Sequence, residues 1–184
     1  WRWADVIEGT ENNGGFETAG GGGADVLASW TEATSGTSAI TRDTVDFLVG
    51  AASAKFVIDG SNSNASLTQA NQNIATNPLR FTFIVWAKAD STSGSPNFTI
   101  NNASHALTTS YAPYRDTFTD LGSAADFIIA RGSGCAGRTL NFDQASIHQI
   151  GCLIDLDLEG AVPAHNTVVS NRNTNATSPT TTGR

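Results

Sequence analysis

The chain has 184 residues and a formal net charge of −7, with 39% hydrophobic and 15% charged residues. That length supports one well-cored domain with little left for a second. The acidic balance excludes nucleic acid and anionic membrane surfaces as partners, because no basic patch is present to displace counterions from phosphates; neutral glycans and proteins stay open. No apolar run approaches the roughly 18 residues of a membrane span, and no basic stretch leading into an apolar one marks a signal peptide. The sequence holds no methionine, and we expect a processed piece of something longer.

Helical periodicity is nearly absent. Short runs rich in Val, Ile, Phe and Thr alternate with turn residues at intervals of about ten, the pattern of an all-β sandwich or barrel of antiparallel strands. In chain order, the glycine run Gly20–Gly23 in "NNGGFETAGGGGADV" lacks the preceding strand, the Lys-Ser/Thr pair and the following helix of a phosphate loop, and is expected to be a surface turn. "ADVLASWTEA", "TRDTVDFLVG", "AKFVID" and "NASLTQ" follow as strands. The clearest strand is "LRFTFIVWAKAD", where Phe81, Phe83, Val85 and Ala87 share one face while Ile84, Trp86 and Lys88 share the other. "NFTINNASHAL", "YRDTFTDLG", "DFIIARG" and "RTLNFDQASIHQI" complete the set. The connections "GGGGA", "DGSNSN", "NQNIATNP", "DSTSGSPN" and "GSGCAG" concentrate the residues that supply positive φ, Asx-turns or a fixed φ.

Beyond Gly151 the chain changes character. "CLIDLDLEGAV" alternates like a half-buried strand needing a partner surface, and "NTVVSNRNTNATSPTTTGR" is polar and expected to order only against a neighbour. We therefore divide the chain into a lead segment at 1–11, a sandwich at 12–151 and an extended C-terminal assembly arm at 152–184.

The sequence nominates no catalytic residue. There is no nucleophile elbow, and His105, His148 and His165 lack the neighbours of a triad; the acidic residues fall in loops or on solvated strand faces. The sequons at Asn64, Asn97, Asn102 and Asn175 are no more than this Asn-, Ser- and Thr-rich composition produces. Cys135 and Cys152 could form one bridge, and sequence alone leaves that open. The aromatics carry more information. If Phe81 and Phe83 face the core, Trp86 faces away, either as a stacking platform for a glycan or beneath a loop or a neighbouring subunit. Tyr111 and Tyr114 carry the same two readings, and Trp30 reads as core.

Taken in order, "NNGGFET", "ASWTEA", "ASAKFVIDGSNSNASLTQ", "LRFTFIVWAKADSTSG", "YAPYRDTFT" and "LNFDQASIHQIG" resemble the CBM4/9/22-like, galactose-binding-domain-like carbohydrate-binding modules over roughly residues 12–151. The wording is similar to the subset found in tailed-bacteriophage virion proteins, where "GFETAGGGGADV", "AKADSTSG" and an exit toward "LDLEGA" recur. The resemblance implies a jelly-roll β-sandwich and a non-enzymatic virion component, as capsid decoration or tail fibre or appendage. Such a component would be carried on the extracellular particle and would contact other virion proteins or its own copies through the arm. The alternative it implies is a glycan-binding module, with Trp86, Tyr111 and Tyr114 as candidate sugar contacts. It also implies a structural calcium between the opening Glu17 and the closing Asp143, where the family's tandem Asp-Asp reads Asp143-Gln144.

Overall fold

Period-two alternation of apolar and polar residues forces strands to lie between a core and solvent, and the computed structural model, which describes residues 13–22, 25–72, 80–119 and 125–150, meets that demand with strands throughout. They are β1 Ala19–Gly22, β2 Asp25–Leu27, β3 Thr31–Thr34, β4 Ala39–Asp43, β5 Ser53–Val57 and β6 Ala65–Gln72. There follow β7 Arg80–Ala89, β8 Asn97–Ile100, β9 Ala103–Ala106, β10 Ala112–Thr119, β11 Ala125–Arg131 and β12 Thr139–Ile150. Two antiparallel five-stranded sheets, in the orders β10-β7-β12-β5-β4 and β3-β6-β11-β8-β9, form a jelly-roll sandwich, and β1 and β2 make a separate hairpin.

The core lies between the sheets. Phe83, Val85, Ala87 and Ala89 of β7 are buried, and β12 contributes Leu140, Phe142, Ala145 and Ile147; of Phe81 only the backbone is described. Opposite them stand Phe98, Phe127 and Ile129. Phe83 stacks on Phe127 with ring centroids 4.2 Å apart, and Phe98 meets Phe142 edge-on at 5.2 Å, so aromatic pairs join the two sheets in two places. Trp30 is buried against Phe16 and Phe127, and its indole N–H donates to the Asn13 carbonyl at 3.0 Å.

The parity of β12 is rescued by a bulge. Its register against β7 shifts between Asp143 and Ser146, and Gln144 takes φ +50°, so one extra residue restores Ala145 and Ile147 to the inner face. The opening "NGGF", residues 13–16, is built to dock there. Ala145 N–H donates to the Gly14 carbonyl at 2.8 Å, and a Cβ on Gly14 would lie 2.1 Å from the Ala145 oxygen, so only glycine permits the approach.

Three expectations are corrected. Part of the glycine run is not a turn: Ala19–Gly22 is a strand paired with β2. "NFTINNASHAL" is two strands, because Asn101 and Asn102 both take positive φ and fold β9 back on β8. "TRDTVDFLVG" is strand only to Asp43; residues 44–51 leave the sheet altogether. The lead segment, the arm and Cys152 lie outside the described residues. Cys135 is buried with a free thiol, which donates to the carbonyls of Asn97 and Ser133; burial pushes it above the usual thiol range.

Candidate functional site

The outward residues of the β10-β7-β12-β5-β4 sheet fall into rows across the strands. One row is set by register: Lys88 opposite Asn141, Asn141 opposite Lys55, and Lys55 opposite Thr41. The next row places Val57 between Thr139 and Ala39, with Asp90 donating its backbone N–H to Thr139. On the other side of the lysine row lies a third, in which Trp86 stands between Pro113 and Asp143.

Residues 44–51 cross this third row as a strap, and the sequence shows how it is held. Asp43, at the end of β4, accepts the N–H groups of Val45 and Asp46 on one carboxylate oxygen, an Asx-turn that lifts the chain off the sheet. The Asp46 carbonyl then accepts three side-chain donors from three directions: Ser53 hydroxyl at 2.5 Å, Tyr111 hydroxyl at 3.2 Å and Asn141 amide at 3.3 Å. Asp143 Oδ2 accepts Leu48 N–H at 2.8 Å and Val49 N–H at 3.1 Å, and Glu17 accepts Ala51 N–H at 3.0 Å. Gly50 has φ +84°, and a Cβ there would strike the Glu17 carboxylate. With its polar backbone turned inward, the strap leaves Val45, Phe47, Leu48 and Val49 exposed.

Beside the strap lies a cleft of about 400 Å³. Val45 and Asp46 form its wall on the strap side, and Lys55, Lys88, Asn141 and Thr139 lie among its lining residues. Both lysines are paired within it: Lys55 with Asp43 at 3.2 Å and Lys88 with Asp46 at 2.5 Å. Burial opposes ionisation of Asp43, but hydrogen bonds from Val45, Asn141 and Lys55, with the Lys55 charge, outweigh it and hold the carboxyl below its ordinary value. For Asp143 the balance is reversed. Burial pushes its carboxyl up, against the N–H groups of Val49, Leu48 and Gln144 that favour the ion. Burial likewise raises the Tyr111 phenol, with the charges of Asp46, Asp143 and Asp43 adding to it and the Ser53 hydrogen bond opposing it.

The three aromatics named from the sequence are not brought together. Tyr111 lies beside the cleft-lining Lys88, whose ammonium is 5.1 Å from its ring centroid. Trp86 faces the same side, half-buried, one row beyond Lys88. Tyr114 pairs with Val85 and points between the sheets, edge-on to Phe98 and tilted against His105. The residues that sequence reading passed over are Asp43, Asp46, Lys55 and Asn141. Their only signal is polar character at outward positions of otherwise apolar strands, which becomes a site once register aligns them.

Glu17 and Asp143 do not make a calcium site. A hard cation requires converging oxygen lone pairs. Here both carboxylates meet N–H groups of the strap, and the neighbouring carbonyls of Phe16 and Glu17 accept the Arg42 guanidinium at 3.2 and 2.8 Å. Among the described residues no three His, Cys, Asp or Glu side chains gather as metal ligands. The donor set does not fit calcium; backbone amides and Arg42 supply the positive ends that a cation would.

No family model and no curated protein matches the chain. Solved structures match it in fold. The CBM22-1 xylan-binding domain of Paenibacillus barcinonensis Xyn10C aligns with TM-score 0.57 and 9% identity, over 82% of this chain and 97% of that one. The arabinose-bound α-L-arabinofuranosidase MgGH51 aligns with TM-score 0.54 and 14% identity, over 79% of this chain and 26% of that one. The enzymatically active domain of bacteriophage CBA120 tailspike protein 4 aligns with TM-score 0.50 and 16% identity, over 79% and 21% respectively. At these identities the likeness is one of fold alone, a jelly-roll β-sandwich.

Proposed function

We propose that the chain is a non-catalytic glycan-binding module whose ligand lies in the cleft beside the strap. The observation that supports this most directly is the row Lys55, Asn141 and Lys88. It places the partly exposed Lys55 and Lys88 ammonium groups on one sheet face, each oriented by its own aspartate, on either side of a buried Asn141 amide bonded to Asp43, Asp46 and Ser53, and such pre-oriented donors suit a polyhydroxylated ligand. Tyr111 closes one end of the row, and Trp86 borders it on the strap side. The shared fold with a xylan-binding domain makes xylan the first polysaccharide to test; fold alone does not choose the ligand. The test is retention of the full chain by affinity electrophoresis in gels containing xylan, galactan, mannan or β-glucan, with Lys55→Ala as control. Binding that Lys55→Ala weakens by about two- to tenfold, with no release of reducing ends, supports the proposal. A chain retained by none of these and by no acidic polysaccharide refutes it.

A second reading sets this module in a phage virion, as capsid decoration or tail appendage. It draws on the "GFETAGGGGADV" and "AKADSTSG" wording and on the fold shared with a tailspike domain. Residues 152–184 would supply the assembly contacts by strand addition or apolar burial. A chain truncated before Cys152 that still joins the particle normally would count against that reading.

A further inference from the structure

We infer that this cleft takes neutral glycans and seats their ring faces on aliphatic side chains, Val45 in its wall and Val57 on the sheet beside it, in place of an aromatic plate. The inference rests on the glycan-binding reading and specifies its ligand.

Sugar rings carry hydroxyls at their edges and C–H groups on their faces, so a site needs hydrogen-bonding groups and apolar surface side by side. The aromatic candidates are otherwise engaged. One face of Tyr111 is taken by the Lys88 ammonium and its hydroxyl by the Asp46 carbonyl. Trp86 is half-buried in the row that the strap crosses, next to an Asp143 with no exposed surface. Two aliphatic groups flank the polar row instead. Val45 lines the cleft from the strap and is 88% exposed; Val57 lies in the sheet, opposite the cleft-lining Thr139, and is 40% exposed. Lys55, Asn141 and Lys88 lie between them, so the cross-section is apolar, polar, apolar.

Charge sets the rest of the specificity. Each lysine is neutralised by its own aspartate, and Asp90 adds a third carboxylate to the lining. A uronate or sulfate would therefore have to break an existing pair or sit beside surplus negative charge, on a chain already at −7. A neutral sugar meets neither obstacle.

The experiment is calorimetric titration of the full chain with xylohexaose, cellohexaose and galactohexaose as neutral probes and hexagalacturonate as the acidic one. We expect at least one neutral hexaose to bind about tenfold or more tighter than hexagalacturonate, with affinity unchanged on raising salt to about 0.5 M. Val45→Asp should weaken it by about tenfold or more, the loss expected for an aliphatic contact, and Val45→Ser by less, with thermal midpoints unchanged because Val45 is solvent-facing. Hexagalacturonate binding as tightly as the neutral probes would overturn the neutral selectivity while leaving glycan binding intact. Full affinity in Val45→Asp, alongside loss in Lys55→Ala, would overturn the aliphatic seat alone. Failure of every probe would remove the glycan reading and this inference with it.

Discussion

Replacing Asp143 by alanine tests whether the strap is held by the carboxylate beneath it. Asp143 accepts Leu48 N–H at 2.8 Å, Val49 N–H at 3.1 Å and Gln144 N–H at 2.7 Å. Hydrogen bonds to a charged acceptor are worth about 1.5–3 kcal/mol each. The freed amides of Leu48 and Val49 reach water once the strap lifts, and the cost of burying the carboxylate disappears with it, so at pH values where the carboxyl is ionised we expect a net loss of about 2–4 kcal/mol. At about 4 °C per kcal/mol for a domain of this size, the midpoint should fall by about 8–16 °C. The pH dependence follows from the upward shift that burial imposes on this carboxyl. The folded chain holds the Asp143 proton more tightly than the unfolded chain. Its stability contribution is therefore fullest below about pH 4 and declines as pH rises through the raised folded value. Asp143→Ala lacks that slope, so its deficit against the parent should be largest in acid and narrow toward neutrality. Thermal melts at several pH values, with hydrogen exchange at the Leu48 and Val49 amides, measure both effects. A midpoint within about 2 °C of the parent, with exchange at those amides unchanged, would refute the reasoning.

Phe127→Ala removes the ring that stacks on Phe83 and touches Trp30, and should cost about 3–5 kcal/mol by denaturant titration. Tyr114→Phe should be neutral or stabilising by up to about 1 kcal/mol in the same assay, because the buried Tyr114 hydroxyl has no hydrogen-bond partner among the described residues. The Asp59 carboxyl is held down to about 2 by the Ser63 hydroxyl and by the N–H groups of Ser63, Thr37 and Ser61. Its contribution is present above about pH 4 and lost as pH falls toward 2, so Asp59→Asn should flatten the acid limb of a melting-temperature profile.

The sandwich was legible because β7 and β12 carry their burial in alternation: Phe83, Val85 and Ala87 face in, and Ile84, Trp86 and Lys88 face out. The strap was not. "TVDFLVG" has the composition of a strand, and what removes it from the sheet is the Asp43 side chain capturing two backbone amides, followed by anchoring to Asp143, 95 residues from Leu48. No local pattern encodes a contact at that separation. The cleft was hidden for a related reason. Lys55, Lys88 and Asn141 come from three strands distant in sequence, and only the pairing register brings them into one row. Tyr111 and Tyr114, three residues apart, look equivalent until Tyr114 is seen to pair with Val85, which turns its ring inward.

The strap separates scaffolding from display. Every bond described for Val45, Leu48 and Val49 runs through the main chain to fixed carboxylates below, while their side chains point to solvent. Substitution at Val45 and Val49, the most exposed of them, can therefore change what the loop presents without touching what holds it in place. In that respect it is organised like an antibody's hypervariable loop, a surface on which specificity can drift while the β-sandwich beneath stays constant.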